Sequence, residues 1–325
     1  MILTSCRSGD ITNDIINDSD ESVIIEDNLV RVESKPSEGF HWDYYLFIPD
    51  SYDENNTSTY NKHLIVEPSD NENGKRRAEN HRVSNRLGVP VMIPMFDRPA
   101  NIEDAWKYFI LRLDRNTLMI EKEKFQRLDK QLIAMIDNAV NLLGQNNFDF
   151  NNDVYMYGLS SQAQFANRFT LLHPDRVKAS VSGMITEIAL PESQRSGYNL
   201  YYPLGTYDMY ELTGIQFDLE KFKSTDQYLF YGEKDSDDPI YYDNVIDPRE
   251  RNIYENVFNT KAIPPDETND PESAKIIAKR LFTAQNFYAE RGIDLKVKIY
   301  EGVDHFMTSE MIDDVVEFFR ETVNK

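Results

Sequence analysis

The sequence predicts an α/β protein with a mostly parallel sheet, helices on both faces and a single main domain. Short apolar runs alternate with longer helical patterns from residue 28 to the end of the chain. Several of the runs are continuous rather than alternating, which is typical of strands covered on both faces. Hydrophobic residues make up 40% of the 325 residues, which is enough to bury a sizeable core.

Each predicted strand is a short apolar run that ends at polar or turn-forming residues. Pro49 and Asp50 close the second strand, and prolines stand at both ends of the fourth. The predicted strands are Leu29–Val32, Tyr44–Ile48, Leu64–Val66, Val89–Met95, Val154–Tyr157, Val177–Val181, Gln227–Tyr231 and Leu295–Tyr300.

The predicted helices carry apolar residues at helical spacing, such as Leu128, Leu132 and Ile136. They cover Asn116–Leu143, the segment from Ser160 to His173, Ser273–Glu290 and Met311–Val323. Residues 184–225 lack clear periodicity and are predicted to be a cap insertion over a site. The predicted organisation is therefore an acidic tail or tether over residues 1–27 and one domain over residues 28–325.

The charge balance and the single cysteine exclude several classes of function. The chain has 35 basic and 56 acidic residues, a net charge of −21, so it should repel nucleic acid and anionic lipid. Cys6 alone can form neither an intramolecular disulfide nor a cysteine zinc site. The five histidines show no metal-ligand spacing, so no metal site is expected. The apolar runs are far too short to span a bilayer.

The first residues leave two localisations open. Leu3-Thr4-Ser5-Cys6 resembles a bacterial lipobox, where a lipoprotein precursor is cut and its cysteine acylated. A signal peptide needs an apolar stretch before that point, and only Met1 and Ile2 precede it. The alternatives are a cytoplasmic protein with a disordered tail and an extracytoplasmic lipoprotein with an acidic tether.

The stretch around Ser160 has most of the pattern of a nucleophile elbow. Gly158-Leu-Ser160 lies between a predicted strand and a predicted helix. Such a turn is tight enough to require small flanking residues, and it exposes the serine at the edge of the sheet. Gln162 stands where the usual pattern has a second glycine. Ser161 fits the nucleophile position less well, because Leu159 would then hold the small-residue position.

A nucleophile elbow is followed along the chain first by the acid and then by the base. Only two histidines, His173 and His305, follow Ser160. His173 ends the helix that the elbow begins, which places it roughly 20 Å from the serine at a rise of about 1.5 Å per residue. His305 follows the last predicted strand, where a loop can return it to the sheet edge. We therefore expect His305 to be the base.

The acid is expected after the strand between the nucleophile and the base. Asp235, Asp237 and Asp238 all follow Gln227–Tyr231. Asp235 is nearest the end of the strand and is the preferred candidate, with Asp238 as the alternative.

The oxyanion of an acyl-transfer intermediate needs backbone N–H donors. One is expected at Ser161, because it begins a helix directly after the nucleophile. The second is expected in the loop after Leu64–Val66, at Ser69 or Asp70. A plain turn at these two residues is an equally good interpretation.

Together these motifs resemble the α/β-hydrolase superfamily, over roughly residues 40 to 322. Three segments carry the resemblance: Gly158-Leu-Ser160, Gly232-Glu-Lys-Asp235 and Gly302-Val-Asp-His305. Their functional residues are 75 and 70 positions apart (235−160 and 305−235). The segment from Phe165 to Ala179 resembles the bacterial esterase branch, which includes polyhydroxybutyrate depolymerases, feruloyl esterases and dienelactone-hydrolase-like proteins. The resemblance implies a serine hydrolase with Ser160, Asp235 and His305 as its triad.

The expected function is hydrolysis of a carboxylic ester, small or polymeric, through an acyl-enzyme and without a cofactor. Gln162 supports an alternative, a hydrolase-fold binding protein that has lost turnover. Use of the same triad by a peptidase or an acyltransferase is a further alternative. Tyrosine-rich segments at 198–210 and 241–242 either line a substrate pocket or pack in the core and cap.

Overall fold

The computed structural model of the protein describes residues 28–53, 62–70, 73–97, 110–237, 240, 248–263 and 271–322. The predictions for the tail and its lipobox, for Asp238 and for the tyrosines at 241–242 lie outside these residues.

The strands of the described chain are close to the predicted runs. They are β1 Leu29–Val32, β2 Tyr44–Phe47, β3 Ile65–Val66, β4 Val91–Pro94, β5 Val154–Leu159, β6 Val177–Gly183, β7 Gln194–Arg195, β8 Tyr198–Asn199, β9 Asp226–Gly232 and β10 Leu295–Tyr300. All but β7 and β8 belong to one eight-stranded sheet.

The α-helices are more numerous than the sequence patterns predict. They are α1 Gly74–Glu79, α2 Arg82–Leu87, α3 Arg115–Leu118, α4 Leu128–Gln145, α5 Ser161–Leu172, α6 Met209–Thr213, α7 Leu219–Lys223, α8 Pro248–Asn256, α9 Pro271–Glu290 and α10 Ser309–Glu321.

The sheet has the order β1-β2-β4-β3-β5-β6-β9-β10. Its first two pairings, β1 with β2 and β2 with β4, are antiparallel. Every pairing from β4 to β10 is parallel. The carboxyl ends of these parallel strands therefore meet at one edge of the sheet, where α/β proteins bind their ligands.

Helices cover both faces of the sheet, as predicted. Tyr155 of β5 stacks on Phe319 of α10, with ring centroids 4.5 Å apart. Gly158 of the same strand lies against α5. Because neighbouring positions on a strand point to opposite faces, α10 and α5 lie on opposite sides of β5.

The prediction of one helix over Asn116–Leu143 is wrong in its first half. The chain forms α3, then a 3-10 turn at Glu123–Phe125, and begins α4 only at Leu128. Arg127 has a φ of 46°, which breaks the helix. Arg127 is held there by two hydrogen bonds to Asp129, which is fully buried at the start of α4.

Residues 184–225 form a hairpin, β7 and β8, followed by α6 and α7. Tyr202 is buried and its hydroxyl donates to the Leu113 carbonyl at 2.5 Å, so this tyrosine packs in the interior. Tyr207 and Tyr210 are exposed. The tyrosines of this segment are thus divided between the interior and the surface, and its role as a cap remains a prediction.

Candidate active site

Ser160 occupies the junction between β5 and α5 in a rare backbone conformation. Its φ is 56° and its ψ is −123°. A non-glycine residue in such a region costs on the order of 1–3 kcal/mol and persists only where its surroundings hold it. One such restraint is the hydrogen bond from the Ser160 N–H to the Gly183 carbonyl of β6, at 2.9 Å. The turn leaves the serine half-buried at the carboxyl edge of the sheet.

Gly158 makes this turn possible. A Cβ at Gly158 would collide with the carbonyl oxygen of Gln162 and lie 2.6 Å from the Ala163 nitrogen. Both neighbours are backbone atoms that cannot move without displacing α5. The close approach of strand and helix is therefore accommodated at Gly158, two positions before the serine, and Gln162 takes part in it through its backbone.

The start of α5 provides a backbone donor beside Ser160. Ser161 is the first helical residue, so its N–H has no acceptor within the helix. The N-terminal end of a helix also carries a partial positive charge. Ser161 therefore has the position and polarity that an oxyanion donor requires.

The side chains of Asp235 and His305 are joined directly. His305 Nδ1 donates to Asp235 Oδ2 at 2.7 Å. Asp235 is 1% exposed, and its other oxygen accepts the Asp237 N–H at 3.1 Å. A hydrogen on Nδ1 leaves Nε2 of His305 as a proton acceptor. The pair thus has the orientation that an acid and a base need, and their roles as triad acid and base stay a prediction.

The loops that carry this pair are fastened to each other by the backbone. Asp235 follows β9, His305 follows β10, and the two strands are adjacent and parallel. The Lys234 N–H donates to the Val303 carbonyl at 2.8 Å. A Cβ at Gly232 would collide with that same carbonyl and lie 2.9 Å from the carbonyl of Asp304. Only glycine at position 232 allows the two loops to approach this closely.

The Asp235 carboxylate also raises the proton affinity of His305. Its hydrogen bond raises the pKa of His305 above the usual value, and its charge adds to the effect. Burial of the imidazole works in the opposite direction. A protonated imidazole at His305 is therefore stabilised by its neighbour.

A chain of backbone contacts runs along the sheet edge from Ser160 to His305. Ser160 bonds to Gly183 at the end of β6, and the Met184 N–H bonds to the Phe230 carbonyl of β9 at 2.8 Å. Two residues later, Gly232 lies against the loop that carries His305. Ser160, Asp235 and His305 therefore all occupy the carboxyl edge of the sheet.

The two candidates for the second oxyanion donor differ in availability. The Ser69 N–H donates to the Pro94 carbonyl at 2.8 Å, extending the pairing of the sheet, so it cannot also bind an oxyanion. Asp70, the next residue, remains the prediction for this role.

His173 has a structural partner at the far end of α5. It is buried, and its Nε2 lies 2.9 Å from Oδ2 of Asp129 on α4. This agrees with its interpretation as a helix-terminal residue.

A buried ionic cluster near the sheet edge has no counterpart in the sequence analysis. Arg112 donates twice to Glu187, at 2.8 and 2.7 Å, and Arg168 donates to Glu187 at 2.5 Å. Burial alone would raise the pKa of Glu187, but the two guanidinium groups outweigh it and lower this pKa. Burial raises the pKa of Glu250 to about 8. The four residues come from different segments, so only the tertiary structure reveals the cluster.

Among the described residues, no group of three or more histidine, cysteine or acidic side chains is placed to hold a metal ion. In the same part of the chain, no helix has the length and apolar character needed to cross a membrane.

Comparison with known proteins gives similarity in structure only. No family model matches the chain, and no curated protein matches it in sequence. Poly(aspartic acid) hydrolase-1 from Sphingomonas sp. KT-1 has a similar structure, with a TM-score of 0.51 and 13% identity. The similarity covers 88% of this chain and 96% of that one.

LpqC, a poly(3-hydroxybutyrate) depolymerase from Bordetella parapertussis, also has a TM-score of 0.51, at 12% identity. The similarity covers 86% of this chain and 84% of LpqC. A polyhydroxybutyrate depolymerase is one of the protein kinds that the sequence motifs resemble. With its eight-stranded, mostly parallel sheet and these neighbours, the chain has the α/β-hydrolase fold that its sequence predicts.

Proposed function

We propose that the protein is a serine hydrolase that cleaves carboxylic esters through Ser160, His305 and Asp235. The observation that carries the proposal is the combination of a strained serine at a strand-to-helix turn with a bonded Asp235–His305 pair at the same sheet edge. The order of the three residues along the chain is that of α/β-hydrolases. The two structural neighbours, a hydrolase and a depolymerase by name, are in keeping with this class.

In the proposed reaction, Ser160 Oγ attacks the ester carbonyl and His305 Nε2 takes the serine proton. The bond from the carbonyl carbon to the leaving alcohol then breaks, and His305 returns the proton to that alcohol. A water molecule repeats the sequence on the acyl-enzyme and releases the acid. Asp235 holds the imidazole in the required tautomer, and the N–H groups of Ser161 and Asp70 are the proposed oxyanion donors.

Labelling by a fluorophosphonate probe tests the nucleophile. The probe reacts only with a serine that an adjacent base activates. We expect stoichiometric labelling of the unmodified chain, none of Ser160→Ala, and labelling slowed by several orders of magnitude in His305→Ala. Normal labelling of Ser160→Ala would overturn the site assignment.

Turnover of p-nitrophenyl esters of increasing chain length tests the reaction. We expect Ser160→Ala to lower kcat by roughly 10³ or more, with the double variant of Ser160 and His305 little worse than either single variant. A correctly folded protein that neither reacts with the probe nor hydrolyses any ester would favour the alternative, a hydrolase-fold binding protein.

A further inference from the structure

A cavity of about 420 Å³ opens beside the candidate active site, on the face of the sheet that α10 covers. It is lined by the end of β3, by α1 and α2, by the end of β5 and by the start of α10. Leu159, directly before Ser160, and Met307, two residues after His305, form part of its wall. The cavity therefore borders the two segments that carry the proposed nucleophile and base.

The part of the cavity formed by α1 and α2 is strongly basic. Arg76, Arg77 and Arg82 all line it. The segment 74–87 holds five basic residues and one acidic residue, whereas the whole chain has a net charge of −21. The sign of the charge in this segment is thus opposite to that of the whole chain.

One of the three guanidinium groups is neutralised within the protein. Arg77 donates to Glu67 Oε1 at 2.8 Å, and Glu67 is 5% exposed. Arg76 and Arg82 make no ion pair within the part of the chain that the structure describes. The cavity therefore presents two positive charges that no described carboxylate balances.

Part of the remaining wall is apolar, and the polar side chains of Asn73, Asn80 and His81, with Glu67, make up the rest of the lining. Leu159 and Met307 lie beside the proposed catalytic segments, and Val83, Tyr157 and Ile312 complete this surface. A cavity with one apolar and one cationic part fits a molecule with a short apolar stretch and an anionic end.

We propose that this cavity binds an anionic group of the ester substrate, separated from the scissile carbonyl by a short apolar chain. Guanidinium groups bind carboxylate and phosphate through paired, charge-assisted hydrogen bonds, so either anion fits the chemistry. In a chain this acidic, the two unbalanced arginines would also concentrate an anionic substrate beside the candidate active site. The inference rests on the proposed ester hydrolysis and names the class of ester.

A matched pair of substrates tests the proposal. The p-nitrophenyl monoester of glutarate carries a free carboxylate at the end of its acyl chain, and p-nitrophenyl pentanoate has the same number of acyl carbons without the charge. We expect kcat/KM to be higher for the glutarate ester. This preference should decline with added salt, because Arg76 and Arg82 are exposed to solvent.

The variants are Arg76→Gln, Arg82→Gln and their combination. We expect the double variant to lower the ratio of kcat/KM, glutarate ester over pentanoate, by about tenfold. Lys75→Gln is the matched control for each single variant, since Lys75 is an exposed α1 residue outside the cavity lining and its replacement also removes one positive charge. An unchanged ratio in the double variant, or an equal fall in Lys75→Gln, would overturn the proposal.

A binding measurement separates this proposal from the ester hydrolysis on which it rests. Titration calorimetry of Ser160→Ala with glutarate, and separately with inorganic phosphate, needs no turnover. Binding that is lost when Arg76→Gln and Arg82→Gln are added supports the anion site even if no ester is hydrolysed. The ligand with the higher affinity identifies the kind of anion. If neither glutarate nor phosphate binds, or if the two substitutions leave the binding unchanged, the proposed anion site is contradicted.

Discussion

Gly232 and Val303 approach so closely that a methyl group at position 232 would collide with the Val303 carbonyl oxygen. This contact lies between the loop of Asp235 and the loop of His305. The Lys234 N–H bonds to the same carbonyl. The distance between the proposed acid and base thus depends on a residue that has no side chain.

Gly232→Ala should therefore impair the site without abolishing the fold. A displacement of about 1 Å in a catalytic group can cost roughly 100-fold in rate. We expect kcat for a p-nitrophenyl ester to fall by about that factor, with the far-ultraviolet circular dichroism unchanged.

Gly144→Ala is the control for a glycine substitution. A Cβ at Gly144 meets no atom within 4 Å, and the residue lies inside α4. Full activity and a gain of about 0.5–1 kcal/mol in stability are expected, because alanine favours the helix. If Gly232→Ala were as active as Gly144→Ala, the loops would tolerate separation and the contact would not matter.

The raised pKa of His305 predicts the pH dependence of hydrolysis. Only the neutral imidazole accepts the serine proton, so activity should rise as His305 loses its proton. Because the hydrogen bond to Asp235 raises this pKa, the midpoint should lie above about 6.5. The kcat/KM profile of the free enzyme measures it. A flat profile between about pH 5 and 8 would argue for another base.

Asp235→Asn removes the charge that raises the pKa of His305. The midpoint of the profile should move to lower pH, and kcat should fall by roughly 10⁴ as the imidazole loses its preferred tautomer. Asp237→Asn, which alters the neighbouring carboxylate, is the control and should cost far less. A larger loss in Asp238→Asn than in Asp235→Asn would move the acid to the alternative position.

Substitutions at Gly158 and Gln162, the positions two residues before and after Ser160, should have opposite effects on activity. Gly158→Ala should disrupt the turn, since its Cβ would collide with the backbone of α5. Gln162→Gly should keep or raise activity and cost roughly 0.5–1 kcal/mol of stability, because glycine is a poorer helix former than glutamine. Activity and thermal unfolding of both variants, measured together, test the contrast. A large fall in turnover for Gln162→Gly with normal circular dichroism would instead give the glutamine a functional role.

Glu250 predicts a pH effect on stability rather than on catalysis. Its folded pKa of about 8 is above the unfolded value of about 4.3, so the native state holds the proton more tightly. The free energy of unfolding should therefore decrease as the pH rises through this interval. Glu250→Gln cannot ionise and should be more stable than the parent at pH 9, by on the order of 1–3 kcal/mol, with little difference at pH 5.

Urea unfolding of the parent and the variant at the two pH values measures this difference, in which the other titrating groups cancel. Glu255→Gln is the control, because Glu255 lies exposed on the same helix. A parallel decline in stability for the parent and Glu250→Gln would show that Glu250 ionises freely in the native state.

The sheet was predictable because its strands are short apolar runs with clear ends. The Leu29–Val32 and Leu295–Tyr300 strands have their predicted bounds. Helices α1, α2 and α8 were not predicted, since their few turns carry mostly polar residues and their burial comes from tertiary packing. The break before Leu128 was equally hidden, because it depends on the contact of Arg127 with the buried Asp129.

Part of the candidate site was likewise predictable from the sequence, and part depends on the tertiary structure. Ser160, Asp235 and His305 could be chosen by their order and by their places after predicted strands. The hydrogen bond from the Ser69 N–H to the Pro94 carbonyl depends on strand pairing, which a single sequence does not reveal. The basic lining of the cavity had a signal in the sequence, the reversal of charge over residues 74–87, but its position beside the site did not.

The arrangement of the parallel strands also orders the assembly of the site during synthesis. Ser160 and His305 are separated by 145 residues (305−160). At roughly 5–20 residues per second, the ribosome needs about 7–30 s to add them. Strand β10, which brings His305 to the edge, is the last strand of the sheet to leave the ribosome. A nascent chain can thus form the strand and helix around Ser160 before the proposed base is present, so the proposed hydrolysis would begin only when the sheet is complete.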